Sequence, residues 1–199
     1  MVRTHSEDAF NVGFIGGPTS EKHRVVQELI NPQLRFDEGE FDQAAAYHLS
    51  SKPPSVAAAA AASSVSTAAD RDDGTHLLEY PCNTDDLSYA SLTSYFAEHS
   101  LLCVCVGSTL TEQIKILREL QTQRVVVIYT GMFACEDGTW EAAIAQYKDD
   151  AHRYCPNAHA VIYLSAKVHE GDYPHSFHGR NQDEWNQLRA LLHLPSVPM

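Results

Sequence analysis

Short, densely apolar runs alternate along the chain with longer stretches in which apolar residues recur every three or four positions. Phe10-Asn11-Val12-Gly13-Phe14-Ile15 reads as a buried strand, ended by Gly16-Gly17-Pro18. Val25, Val26, Leu29 and Ile30 then fall at helical spacing, with Ser20 placed to cap the helix and Asn31-Pro32 to stop it. This is strand, glycine turn, helix. A short strand is expected at 75–80, ended by Pro81. A helix over 85–99 would carry Leu87, Tyr89, Leu92, Tyr95 and Phe96 on its apolar face. Leu101-Leu102-Cys103-Val104-Cys105-Val106 is apolar throughout, as a strand covered on both faces must be. Next come an amphipathic helix over 111–122, a third buried strand at 124–129, a helix over 139–153 and a strand at 158–164. A closing helix is expected at 183–193, with Trp185, Leu188, Leu191 and Leu192 inward.

Residues 33–74 break this alternation. The segment 34–41 is acidic, and 44–49 can form one short element. From about 50 to 74 the chain is a low-complexity mixture of alanine, serine, threonine and proline that buries too little surface to offset its ordering entropy. It is expected to be a flexible surface loop.

Apolar strands alternating with amphipathic helices predict an α/β domain of three layers, a mostly parallel sheet with helices on both faces. A length of 199 residues suits one such domain, spanning 1–199. Ligands in such sheets sit beyond the carboxyl ends of the strands, which directs attention to loops beginning at Gly16, Pro81, Gly107, Thr130 and Ser165.

Charge narrows the partners. Fourteen basic against 26 acidic side chains give a formal charge of −12, and no basic stripe is present, which argues against nucleic acid and anionic membranes as partners. No apolar run approaches the length needed to span a bilayer, and the first eight residues have no signal core, so a cytoplasmic protein is expected. The five cysteines are odd in number and none lies at CxxC spacing. Cys103 and Cys105 alternate in an apolar run and are expected to point to one side of their strand as buried thiols.

The first loop carries the most chemistry. Gly16-Gly17-Pro18-Thr19-Ser20-Glu21-Lys22-His23 stands where a phosphate-binding loop of pattern GxxxxGK[ST] belongs, with Gly16 and Lys22 correctly spaced. Glu21 replaces the second glycine and His23 the magnesium-binding hydroxyl. A Cβ at Glu21 resists the loop's conformation, its carboxylate would face phosphates, and imidazole is a poor magnesium ligand.

Together with several downstream segments, this loop resembles the G domain of translation-factor GTPases, the class of elongation factor Tu and its eukaryotic and selenocysteine-specific relatives. Asn11-Val12-Gly13-Phe14-Ile15-Gly16 with Ser20 and Lys22 is similar to that family's NVGxxGHxDSGKT opening. Glu79-Tyr80-Pro81-Cys82-Asn83-Thr84-Asp85 stands in place of DTPGHAD, and Thr111-Glu112-Gln113 resembles the QTxEH segment. Tyr154-Cys155-Pro156-Asn157 resembles the stretch before the last motif, and Ser165-Ala166-Lys167 resembles the SAK loop that touches guanine. The likeness covers about 10–170 and implies a P-loop NTPase-like, small G-protein-like fold. It makes Gly16, Ser20, Lys22, Ser165, Ala166 and Lys167 the relics of a nucleotide site.

The departures fall on the nucleotide. Thr130-Gly131-Met132-Phe133 stand for NKxD, losing the guanine-reading carboxylate. Cys82 replaces the γ-phosphate-sensing glycine, and Asn83 the water-orienting histidine. The expectation is a pseudo-GTPase with no catalytic residues and no cofactor, acting as a protein-interaction module or within a larger complex. The alternative is a divergent GTP-binding protein that uses GTP and magnesium. His169, His175 and His178 near Asp172 are expected to be solvated loop residues, with Pro174 and Gly179 arguing against a helix, and no metal is assigned to them. Both tryptophans are expected to face the core.

Overall fold

The computed structural model describes residues 10–17, 20–30, 45–49, 74–79, 99–107, 124–136, 138–166 and 174–196, with 45–49 and Phe133 described by their backbone. The described residues form a six-stranded sheet. In chain order its elements are β1 (Phe10–Gly16), α1 (Lys22–Ile30), β2 (Ala45–Leu49), β3 (Thr75–Glu79), β4 (Leu101–Val106) and β5 (Val125–Tyr129). After these come α2 (Trp140–Tyr154), β6 (Ala160–Tyr163) and α3 (His178–Leu191), with single 3₁₀ turns at Met132–Ala134 and His175–Phe177. The strands lie in the order β2-β3-β1-β4-β5-β6. β2 runs antiparallel to β3 at one edge, and every other pairing is parallel.

The continuous apolar runs become central strands because both their faces are covered. All six residues of β4 and all five of β5 are buried. Side chains alternate between two cores, as the two-residue period of a strand requires. Leu102, Val104, Val106, Val127 and Tyr129 pack under α2, whereas Cys103, Cys105, Val126 and Ile128 pack under α1 and α3. The two cysteines therefore share a side, as their spacing predicts, and both are free thiols. Trp185 from α3, 1% exposed, is the largest side chain of the second core and alone contributes about 2–3 kcal/mol of transfer free energy.

α3 also closes the outer edge of β6. A bare strand edge carries unpaired amides and carbonyls that invite further pairing. Here Glu184 Oε2 accepts the Tyr163 amide at 3.2 Å, Asn181 Oδ1 accepts the Ser165 amide at 2.8 Å, and Trp185 Nε1 donates to the Ser165 carbonyl at 3.3 Å. Residues 181, 184 and 185 share a helix face because they are three and four apart.

Several expectations change. The last helix begins at His178, five residues before 183, and ends at Leu191. Gly179 is accommodated in its first turn, where backbone amides need no intrahelical partner, and the segment expected to be loop around His175 is a 3₁₀ turn leading into it. Ser20 does not cap α1: its hydroxyl donates back to the Gly17 carbonyl at 2.6 Å. Trp140 is half-buried at the start of α2, its indole N–H donating to Ser176 Oγ at 3.0 Å, so only Trp185 is a core residue in full. The helices expected over 85–99 and 111–122 and the low-complexity stretch to residue 73 lie outside the described residues, apart from His99, which is not helical.

Candidate functional site

The carboxyl ends of β1, β3, β4 and β5 converge on the loop between β1 and α1. Gly16 closes β1 opposite Cys105 of β4. A Cβ there would lie 2.3 Å from Ser20 Oγ and 2.8 Å from the Cys105 carbonyl, so the loop can turn this tightly only over a glycine. Ser20 is 1% exposed and gives both its hydroxyl and its amide to the Gly17 carbonyl, at 2.6 and 3.0 Å. Its own carbonyl accepts from Thr130 Oγ1 at 2.8 Å, and the same hydroxyl lies 3.1 Å from the Val106 carbonyl. Thr130 thus ties the loop to the ends of β4 and β5.

Glu21, in the place of the second glycine, does adopt the backbone that a glycine favours there, with φ 48°. For a residue with a Cβ this costs about 1–2 kcal/mol. Its carbonyl accepts the first helical hydrogen bond, from Val25 at 3.1 Å, and its carboxylate is held 2.9 Å from Arg24 Nε in the first turn of α1. The predicted obstacle is therefore met by strain and an ion pair.

Three charged or titratable side chains meet beneath this loop. Lys22 is 2% exposed and Glu79, at the end of β3, 3% exposed. Lys22 Nζ lies 3.7 Å from Glu79 Oε1, and His23 Nδ1 lies 3.0 Å from Glu79 Oε2. A carboxylate can only accept, so His23 carries its proton on Nδ1 in this bond. The parallel β1–β3 pairing, with Phe14 opposite Glu79, brings residue 79 beside the start of α1. A buried lone charge would be costly; the lysine and glutamate offset one another. Lys22 is therefore a buried member of this cluster and not a solvated lysine of a surface turn.

Opposite lie the loops that the resemblance assigns to guanine. Gly131 and Ser165 pair in an isolated bridge, joining the ends of β5 and β6. Ser165 and Ala166 are buried and Lys167 lies outside the described residues. The Ser165 amide is taken by Asn181 and its carbonyl by Trp185, so the backbone of this loop is bound to α3. Met132, at the third position of the altered NKxD segment, is buried in the core under α2 with Tyr129 and Phe177. The structure thus brings Gly16, Ser20 and Lys22 together and puts Ser165 and Ala166 just beyond β6, with β4 and β5 between that strand and β1. The parts played by Thr130, Asn181 and the Glu79–His23 bond were missed from the sequence. The one usable signal was Glu79 at a strand terminus beside a parallel neighbour. Among the described residues no three histidine, cysteine or acidic side chains converge as a metal site, and no helix is long and apolar enough to cross a membrane.

No protein-family model matches the sequence, and no curated protein matches it significantly. Solved structures do match in fold. The chain is similar to translation elongation factor SelB from Methanococcus maripaludis in complex with the GTP analogue GppNHp, at TM-score 0.55 and 12% identity. That likeness covers 94% of this chain and 35% of the other. It is also similar to Methanosarcina barkeri Roco2 RocCORdC bound to GDP, at TM-score 0.52 and 12% identity, covering 96% of this chain and 52% of that one. The chain therefore spans from about a third to about half the length of these structures, and at this identity the likeness is one of fold. The strand order, the antiparallel β2 edge and these neighbours give one architecture: the chain has the α/β fold of a P-loop GTPase G domain.

Proposed function

We propose that the chain is a pseudo-GTPase, a G-domain fold with little or no GTP hydrolysis, and that it serves as a protein-interaction module. The observation that carries this reading is the buried Glu79 carboxylate, which already engages both Lys22 and His23. The residues present do not fit a magnesium-bound nucleoside triphosphate. Magnesium requires near-octahedral oxygen ligation at about 2.1 Å, whereas an imidazole stands in place of the hydroxyl and is hydrogen-bonded directly to the acid. On the base side, no carboxylate stands among Thr130-Gly131-Met132-Phe133 to read guanine. What persists is scaffold: cores, strand order and the edge-sealing α3. A scaffold kept without its chemistry is suited to presenting a surface, either to a protein partner or as a subunit of a larger assembly.

Isothermal titration with GTP, GDP and ATP in the presence of magnesium, with phosphate release measured in parallel, tests the reading. No binding in the micromolar range and no turnover are expected. Micromolar affinity with turnover refutes it.

One observation favours a second reading, a divergent GTP-binding protein. Glu21 takes a left-handed backbone and Lys22 follows it at the start of α1, two features that suit a phosphate-binding loop. That reading requires nucleotide to raise the melting temperature and Lys22→Ala to abolish the rise.

A further inference from the structure

The turn before α3 repeats its burial every three residues. His175–Phe177 is a 3₁₀ turn that runs into α3 at His178, with the Phe177 amide donating to the Pro174 carbonyl at 2.9 Å and the His178 amide to the His175 carbonyl. Three residues complete one turn of such a helix, so side chains at i and i+3 eclipse one another. Burial follows that period: Pro174 and Phe177 are buried, whereas His175 and His178 are exposed. Two imidazoles therefore share one solvent-facing side, about 6 Å apart along the axis. The turn that carries them is held in place. Phe177 is fully buried, its ring centroid 5.2 Å from that of Trp140, and the Trp140 indole N–H donates to Ser176 Oγ at 3.0 Å.

We propose that His175 and His178 form a chelating pair for a divalent transition metal of the zinc class, a clip at the start of α3. Imidazole nitrogen ligates zinc, copper and nickel, at about 2.0–2.1 Å for zinc, and is a poor partner for magnesium or calcium. One turn of separation puts both rings within reach of a single ion, and the anchored backbone spares much of the ordering that chelation otherwise costs. The chain's formal charge of −12 favours cations in general. The amino end of α3 opposes them, by roughly two- to fivefold in affinity, so the metal is held by its bonds to nitrogen and not by charge alone. Two protein donors leave the other coordination positions to water, as in an open, exchangeable site. Binding would fasten the turn that leads into the helix sealing β6. It does not depend on whether the chain takes nucleotide.

Zinc chloride is the probe, titrated calorimetrically and in thermal melts into the full chain. Cys82→Ser and Cys135→Ser keep thiols from competing, since Cys103, Cys105 and Cys155 are buried. One zinc per chain and a higher melting temperature are expected. Linking two donors on one turn strengthens binding by orders of magnitude over a single imidazole, so His175→Ala and His178→Ala should each weaken it at least about tenfold. Both side chains are exposed, and either variant reads the site by itself. His152→Ala, at an exposed position of α2, should leave the affinity unchanged. Binding weaker than about 1 mM overturns the inference, as does binding that neither His175→Ala nor His178→Ala weakens. An equal rise in melting temperature with magnesium overturns it too, because that ion selects oxygen ligands. None of these outcomes bears on the pseudo-GTPase reading, which the nucleotide titrations decide.

Discussion

Tyr129→Phe removes one atom that has no partner among the described residues. The ring is fully buried at the end of β5, stacked on Tyr147 at 4.4 Å and on Tyr163 at 5.7 Å between centroids. Its phenolic oxygen has no hydrogen-bond partner among the described residues. A buried hydroxyl without a partner costs roughly 1–3 kcal/mol, and an apolar replacement of the same shape is neutral or stabilising. The stacking depends on the rings and survives the change. Y129F is therefore expected to gain about 1 kcal/mol, or about 2–4 °C in melting temperature for a domain of this size. Guanidinium and thermal unfolding measure it, and a loss of stability beyond error refutes the reasoning.

The same cluster supplies a check at alkaline pH. Burial pushes the phenol of Tyr129 well above its ordinary range and that of Tyr163 up to about 12, with Glu184 adding to the latter and Arg180 opposing. The unfolded chain releases these protons near pH 10, where the folded chain still holds them. The folded state then binds more protons, so stability falls as pH rises from about 10. Y129F should flatten that fall by about one proton's slope.

Two further outcomes rest on other contacts. Gly16→Ala places a methyl 2.3 Å from Ser20 Oγ and 2.8 Å from the Cys105 carbonyl, and the latter belongs to a central strand that cannot withdraw. A loss of about 1–3 kcal/mol is expected in thermal or denaturant unfolding, partly recovered by Ser20→Ala, which relieves the first contact and not the second. Burial raises the Glu184 carboxyl above its ordinary value, opposed by the Tyr163 amide and Arg180. An acid with a raised folded-state pKa loses stability as pH climbs through the window from its unfolded value to its folded one, and the loss persists above. Glu184→Gln should therefore gain on wild type as pH rises from about 4 in parallel denaturation curves, and a difference that does not change with pH counts against the assignment.

Much of the fold was legible because the chain states it twice, in apolar runs and in the helical periods between them. Leu101–Val106 is apolar at every position, and only a strand covered on both faces explains that in a parallel sheet. Gly16 and Lys22 stood out by spacing alone. The boundaries of α3 were less legible, since Pro174 and Gly179 read as loop residues locally while tertiary packing of Phe177 and the seal on β6 extend the helix to His178.

What the amino-acid order determined by itself was therefore the inventory: strands, helices, a phosphate-loop relic and the residues missing from it. Which groups meet was decided by the folded chain. Residues 22, 23 and 79 are brought together by the parallel pairing of β1 with β3, and the His23–Glu79 bond that results joins positions 56 apart in sequence. Thr130 reaches Ser20 across 110 positions because β4 and β5 end beside the loop. Local propensity can choose a helix or a strand, since the forces that do so act within a few residues. A buried carboxylate finds its partners only when separate strands place it among them, and that placement turned a degraded motif into a closed cluster of charge.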